Sequence, residues 1–246
     1  MFQYQAPPAA LKNRTILITG ASDGIGQALT LRFASLGATL ILLGRDLGKL
    51  EQVYDCIENN DGNTPAIIQL NLLTATEHDY QQLARQVQEH FGQLHGLVHC
   101  AGILGEQTPI EQYPTDTWDS VMNVNARAPF MLSKALLPIM RDTPNSSMVF
   151  VSSSVGRQAR AHWGAYSMSK FAIESLSQTL AEELENTSTV RVNSVNPGGT
   201  RTAMRAKAYP AEDPATRPHP AEITPVFEYL MSDDSIGTTG QKFDAQ

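Results

Sequence analysis

Apolar positions along this chain follow two alternating rhythms. Short, nearly continuous apolar runs recur, and most are followed by a longer segment with apolar residues three and four apart. Residues 15–19, T-I-L-I-T, are the first such run. Successive side chains of a strand point to opposite faces, so a run with no polar alternation predicts a strand covered on both sides. Ile25, Ala28, Leu29, Phe33 and Leu36 then stand at helical spacing, with Gly37 as the stop. The same reading predicts strands over 39–43, 66–70, 96–99, 147–152, 190–195 and 242–244. It predicts helices over 47–58, 76–91, 163–185 and 220–231, and a long one over 113–141 interrupted by Pro129 and Pro138. Strands alternating with helices predict a doubly wound α/β fold: a mainly parallel sheet of about seven strands, helices on both faces, right-handed crossovers. No repeat, low-complexity tract or linker divides the chain, so residues 1–246 are expected to form a single domain. Residues 1–13 are a polar, proline-containing arm. Residues 203–220 are rich in Ala, Pro and charge with little periodicity, and read as a mobile lid over a pocket.

Composition narrows the function. At 41% hydrophobic residues the 246-residue chain can bury a sizeable core. A formal net charge of -7 with no basic tract argues against nucleic acid or an anionic membrane as partner. The two cysteines, Cys56 and Cys100, fit neither a metal spacing nor a disulfide scaffold, which points to a reducing compartment. Residues 1–10 lack the basic region and apolar run of a signal peptide, and no stretch approaches ~18 uninterrupted apolar residues. A cytoplasmic protein acting on a small molecule is the expectation.

The candidate chemistry clusters at strand ends. The first strand runs into Gly20-Ala21-Ser22-Asp23-Gly24-Ile25-Gly26 and then a helix. That layout suits a dinucleotide pyrophosphate: glycines admit the backbone, and the helix N-terminus offers free N–H groups. The spacing is G-x-x-x-G-x-G, so an ordinary turn is the competing reading. After the second strand come Gly44 and Arg45, with no acid to hold a ribose 2′-hydroxyl. A guanidinium there suits a 2′-phosphate and favours NADP over NAD, unless Arg45 is only a solvated loop charge. Asp23 is a mild contrary charge. The run of Ser152, Ser153 and Ser154 precedes a helix carrying Tyr166 and Lys170, which share a face at i and i+4. A phenol beside an ammonium can serve as an acid/base device; the bland alternative is a surface pair. His95 and His99 have no third ligand nearby and read as structural, with no metal expected. His162 and Trp163 read as pocket lining or as packing, and Glu182, Glu183 and Glu185 as a solvated helix end.

Taken in order, T-G-A-S-D-G-I-G (19–26), H-C-A-G (99–102), Asn125, the serine run, Y-S-M-S-K (166–170) and N-P-G-G-T-R-T (196–202) closely resemble the short-chain dehydrogenase/reductase family, from residue 15 to 244. The resemblance implies a Rossmann-like domain and an NADP(H)-preferring oxidoreductase that interconverts a carbonyl and a secondary alcohol. It implies a catalytic set of Asn125, Ser153, Tyr166 and Lys170. The family places its serine thirteen residues before the tyrosine, which selects Ser153, with Ser152 and Ser154 flanking it. Tyr166 would exchange the proton, Ser153 would orient the oxygen, and Asn125 would hold a relay water. Lys170 would bond the nicotinamide ribose and, with an oxidised nicotinamide, lower the Tyr166 pKa. Cofactor contacts are implied at Gly20, Ser22, Asp23, Gly24, Ile25, Gly26, Arg45, Asn71, Leu72, Ala101, Gly102, Tyr166 and Lys170. Pro197, Gly199, Thr200 and Thr202 would grip the carboxamide. Two positions depart from the family pattern: His99-Cys100 where N-N-A-G is common, and Asn71 where Asp is common. The long helices bearing Asn125 and Tyr166 pair subunits in much of the family, implying a homodimer or homotetramer. Two other functions remain beside this one: reduction of a carrier-bound 3-oxoacyl thioester, which a basic patch from Arg157, Arg160, Arg201 and Arg205 would serve, and a cofactor-binding sensor without turnover.

Overall fold

Within 15–19 the side chains divide between two cores. Ile16 and Ile18 point into one, Leu17 into the other, and all three are fully buried. Leu40 and Leu42 against Ile41 and Leu43 repeat the division in the next strand, as do Val149 and Val151 against Met148 and Phe150 further on. The apolar runs are continuous because each strand is covered twice, and burying each such side chain contributes about 1.5–3 kcal/mol.

The computed structural model describes residues 1–60 and 62–246. Its strands are β1 (Thr15–Thr19), β2 (Thr39–Gly44), β3 (Ala66–Gln69), β4 (Gly96–His99), β5 (Ser147–Val151), β6 (Arg191–Asn196) and β7 (Lys242–Asp244). They form one parallel sheet in the order β3-β2-β1-β4-β5-β6-β7. The helices are α1 (Gly24–Ser35), α2 (Leu47–Glu58), α3 (Glu77–Phe91), α4 (Thr115–Met122), α5 (Ala128–Asp142), α6 (Gly164–Leu184), α7 (Ala203–Ala208) and α8 (Pro225–Met231). Side chains of α1, α2 and α8 fill one core, those of α3, α5 and α6 the other. This is a Rossmann-type doubly wound sheet. The strand order reverses between β1 and β4, where such sheets open a ligand crevice at the strands' carboxyl ends.

Two segments differ from the sequence expectation. The helix over 113–141 is not broken at its prolines. It passes from α4 through a π-helical turn, Asn123–Arg127, into α5, with the Ala128 N–H donating to Asn123 O. Pro129 has no N–H to offer Asn125 O four residues back, and the wider turn absorbs the misfit. Pro138 lies inside α5. Residues 203–208 form a regular helix, α7, capped by Thr202 accepting from Arg205 N–H. The N-terminal arm is tied down: Phe2 N–H donates to Ala245 O, Phe2 and Tyr4 pack on Tyr229, and Leu11 is fully buried.

Candidate active site

The loops leaving β1, β4, β5 and β6 converge on one cavity of about 330 Å³ at the carboxyl edge of the sheet. Its floor is the glycine turn. Gly20 and Ala21 N–H groups donate to Leu43 O, holding the turn onto β2. A Cβ at Gly26 would stand 2.1 Å from Gly20 O, so only glycine lets α1 start this close beneath β1. Thr19 Oγ1 accepts from Cys100 and Ala101 N–H, both at 3.0 Å, which pins the end of β4 beside the turn. The absence of side chains at Gly20 and Gly26 leaves a cradle that a pyrophosphate fits, with the α1 N-terminus facing it. Gly20, Asp23, Gly24, Ile25, Gly26, Ala101 and Gly102 all line the cavity; Ser22 is half-buried outside it.

Ser153, Tyr166 and Lys170 line the same cavity. Ser153 heads a short 3₁₀ turn, Ser154–Gly156, and its Oγ accepts from Val155 N–H. That turn lies flat on α6: a Cβ at Gly156 would stand 2.7 Å from Lys170 Cβ, and Ser167 Oγ donates to Val155 O at 2.6 Å. The close approach brings Ser153 within hydrogen-bonding reach of Tyr166. Lys170 Nζ donates to Val151 O at 2.7 Å and stands 5.6 Å from the centre of the Tyr166 ring. Burial pushes Tyr166 up to about 12; the bond with Ser153 pulls the other way and does not offset it. Burial lowers Lys170 to about 8. The lowered Tyr166 implied from sequence is therefore not produced by the protein's own groups. Desolvation is the largest influence on both groups, and the Lys170 ammonium is bonded to the Val151 carbonyl. Ser152 Oγ is buried without a partner among the described residues.

Asn125 lies just behind this trio, in the π-helical turn. Its Oδ1 accepts from Ile103 N–H at 2.8 Å, and its Nδ2 donates to Ile103 O and Ser169 Oγ. The side chain clamps the loop after β4 to α6, so its amide is committed. Pro129 can donate neither to the Asn125 backbone carbonyl, four residues back, nor to that of Val124, five back.

Pro197, Thr200 and Thr202 line the cavity from the β6 side, while Gly199 sits beside it against Arg205 and Arg217. Arg45, Asn71 and Leu72 lie outside the cavity, at the carboxyl ends of β2 and β3. Arg45 is exposed, Asn71 Oδ1 accepts from Leu73 N–H in a local turn, and Leu72 packs half-buried on the core. Lys49, in the first turn of α2, pairs with Asp23 at 3.3 Å. Asp23 is thus answered by a cation that sequence reasoning missed. His99 is a core residue, stacked on Phe150 at 4.6 Å and bonded to Ser133, and burial lowers it to about 3. His95 Nδ1 accepts from Thr15 N–H. Trp163 lines the cavity; His162 does not, and its left-handed backbone (φ 70) turns the chain into α6. Leu104, Met204 and Ala208 complete an apolar wall. Sequence reasoning missed these three: Leu104 lies in a loop without periodicity, and α7, which carries Met204 and Ala208, is too short to show one.

The short chain dehydrogenase family model matches residues 14–213. The chain belongs to that family. It is 49% identical over 243 residues to the oxidoreductase YciK of Escherichia coli, covering 99% of this chain and 96% of that one. A short chain dehydrogenase structure from Pseudomonas syringae superposes with a TM-score of 0.98 at 51% identity, covering all of both chains. One from Shigella flexneri, complexed with NADP, gives 0.95 at 48% identity, covering 98% of this chain and all of that one. Against the family pattern, the His99-Cys100 departure is a repacking: His99 fills the core and Cys100 is a thiol that burial pushes up to about 12. No helix among the described residues is long and apolar enough to cross a membrane.

Proposed function

We propose that this oxidoreductase prefers NADP and interconverts a carbonyl and a secondary alcohol, with Tyr166 as proton donor and acceptor. The observation that carries the reading is the shared cavity, in which Ser153 and a buried, protonated phenol face the glycine turn through one continuous space. Reduced nicotinamide, bound along that crevice, supplies the hydride. Gly20 to Gly26 hold the pyrophosphate, with Ser22, Asp23 and Ile25 shaping the turn. Ala101 and Gly102 leave room for the adenosine ribose, and Asn71 and Leu72 border the adenine. Arg45 reads the 2′-phosphate, with Lys49 close by. Pro197, Gly199, Thr200 and Thr202 take the carboxamide.

In reduction, Ser153 donates to the carbonyl oxygen and Tyr166 gives it a proton as the carbon gains its hydride. The product is the secondary alcohol and the oxidised cofactor. Lys170 holds the ribose and relays a proton back to Tyr166. The Asn125 backbone carbonyl holds the relay water, since its amide is already committed. Residues 203–220 close over the substrate. The protein acts in the cytoplasm as a homodimer or homotetramer, with no nucleic-acid or membrane partner.

The basic patch that a carrier-bound thioester would need is not favoured. Arg157 is held by Glu174 and Asp244 and Arg201 by the Pro214 and Arg217 carbonyls, so two of the four arginines are committed; Arg160 is exposed and Arg205 lines the cavity. The test is turnover of a carbonyl panel beside fluorescence titration with NADPH and NADH. Tyr166→Phe is expected to bind NADPH normally and to lose roughly 10²–10⁴-fold in turnover. NADPH is expected to bind more tightly than NADH, and Arg45→Ala to narrow the gap. Full activity in Tyr166→Phe sinks the mechanism; tight binding without any turnover favours a sensor.

A further inference from the structure

Three charged residues line the cavity: Asp23, Lys170 and Arg205. Asp23 pairs with Lys49 at the glycine turn, and Lys170 lies beneath the catalytic phenol. Arg205 belongs to α7: its N–H donates to Thr202 Oγ1 and its guanidinium lies against Gly199, at the carboxamide end of the cavity proposed above. Its guanidinium stacks on the Tyr209 ring at 3.7 Å. Tyr209 is 6.0 Å from the Trp163 ring, and Trp163 is 5.7 Å from the Tyr166 ring. An aromatic series therefore runs from the proton donor to a guanidinium; Tyr166 and Trp163 line the cavity and Tyr209 lies outside its lining.

The charge on that guanidinium is only half answered. Glu212 accepts from Arg205 Nε at 2.6 Å and Nη2 at 2.7 Å, and the same carboxylate accepts from Arg217 Nε at 2.8 Å and from Arg217 Nη2. One carboxylate shared by two guanidinium groups leaves a net positive charge. Beyond Glu212, Arg205 has only the Tyr209 side chain as a side-chain partner among the described residues, so no second carboxylate answers it. The surrounding segment has the same sign. Residues 199–220 hold Arg201, Arg205, Lys207 and Arg217 against Glu212 and Asp213, in a chain of net charge -7. An excess cation held by stacking against an apolar pocket wall is a preorganised anion reader, because its hydrogen bond to an anion forms where water is scarce.

We propose that the substrate is an oxo-carboxylate. Its carbonyl meets Ser153 and Tyr166, its apolar or aromatic stem lies along Trp163, Met204 and Ala208, and its carboxylate meets Arg205. This rests on the carbonyl reduction proposed above and adds the substrate class to it. The purely structural alternative makes the Arg205–Glu212–Arg217 cluster a lock for the lid and nothing more.

The probes are 4-acetylbenzoate and its methyl ester, which share a ketone and stem and differ in charge. With NADPH, the wild-type protein is expected to favour the acid in kcat/KM by about tenfold or more, as one charge-assisted hydrogen bond supplies, and to do so through KM. Arg205→Met is expected to bring the acid-to-ester ratio to near one, and Arg205→Lys to keep part of it. Glu212→Gln, which removes the competing carboxylate, is expected to keep or raise the ratio. A lock without an anion site would instead lose the ratio in Glu212→Gln as in Arg205→Met, and that result overturns the proposal, as does a wild-type ratio near one. A calorimetric titration of 4-acetylbenzoate into the NADP-bound protein separates the two readings. Binding lost in Arg205→Met supports the anion site even where no ketone is reduced. No binding to the wild type overturns it even where neutral ketones are reduced.

Discussion

Lys170 carries its proton at neutral pH only by a small margin, because burial has brought it down to about 8. Tyr166, pushed up to about 12, keeps its proton throughout the working range. The two shifts predict an asymmetric pH profile. In the reductive direction Tyr166 stays a competent acid, while the Lys170 cation that serves it is lost as pH rises through about 8. A cation is present below its pKa, so kcat/KM for reduction should be level at neutral pH and fall above about 8, approaching tenfold per pH unit. Lys170→Met, slower at every pH, should lack that break; a break that persists in it assigns the titration elsewhere. Stability moves the opposite way. Between about 8 and the ordinary lysine value of 10.5 the unfolded chain binds the proton that the native chain has released, so folding becomes more favourable as pH rises there.

The elements that present these side chains are joined by a second network below them. Glu174, one turn beyond Lys170 on α6, is buried and accepts from Arg157 Nε at 2.9 Å and from Ser194 Oγ at 2.8 Å. Arg157 continues to Asp244 Oδ1 at 3.0 Å and to Phe243 O. The serine turn, the tyrosine helix, β6 and β7 thus share one buried carboxylate. Glu174→Ala leaves a guanidinium and a hydroxyl short of an acceptor and should cost about 3 kcal/mol. For a chain of this length that lowers Tm by roughly 6–12 °C. Thermal unfolding measures it, Glu174→Gln should recover part of the loss, and an unchanged Tm removes the network from the account. None of these pairings was legible in the sequence, since Arg157 and Asp244 stand 87 positions apart. What was legible was local. β1, β4, α2 and β7 fall at the predicted boundaries, because a strand covered twice must be apolar throughout and a helix end shows in its caps. The short helix α7 escaped notice under its flanking prolines, although Thr202 followed by A-M-R-A-K-A was a usable cap and a run of good helix formers. The π-helical turn had its cue in Pro129, read as a break when it marks a bulge. The motif residues at strand ends were legible, and the pocket wall was not, since Leu104 meets Met204 and Ala208 only through the fold.

For the molecule as a whole, α6 has two working faces. Its inner face holds Tyr166 and Lys170; its outer face exposes Met168 and Phe171 at 43% and 42%. Phe130 on α5 and Trp118 on α4 are exposed as well. Large apolar side chains repeated on three successive helices are unusual in a monomer's surface, where exposed apolar patches mark contact sites. A second copy is the occupant that the subunit pairing proposed above requires: a two-fold pairing sets the same patch against itself, and a stable pairing buries roughly 1,200–2,000 Å². The prediction is a species of two or four chains by sedimentation equilibrium. Met168→Glu with Phe171→Glu sets like charges against each other across the pairing axis and should shift it toward single chains. Because those side chains share a helix with Lys170, the same substitution should also lower turnover as the helix loses its support, with NADPH binding at the glycine turn less affected. Single chains in the wild type at working concentration would refute the pairing. An assembly unmoved by both glutamates would place the interface on another face.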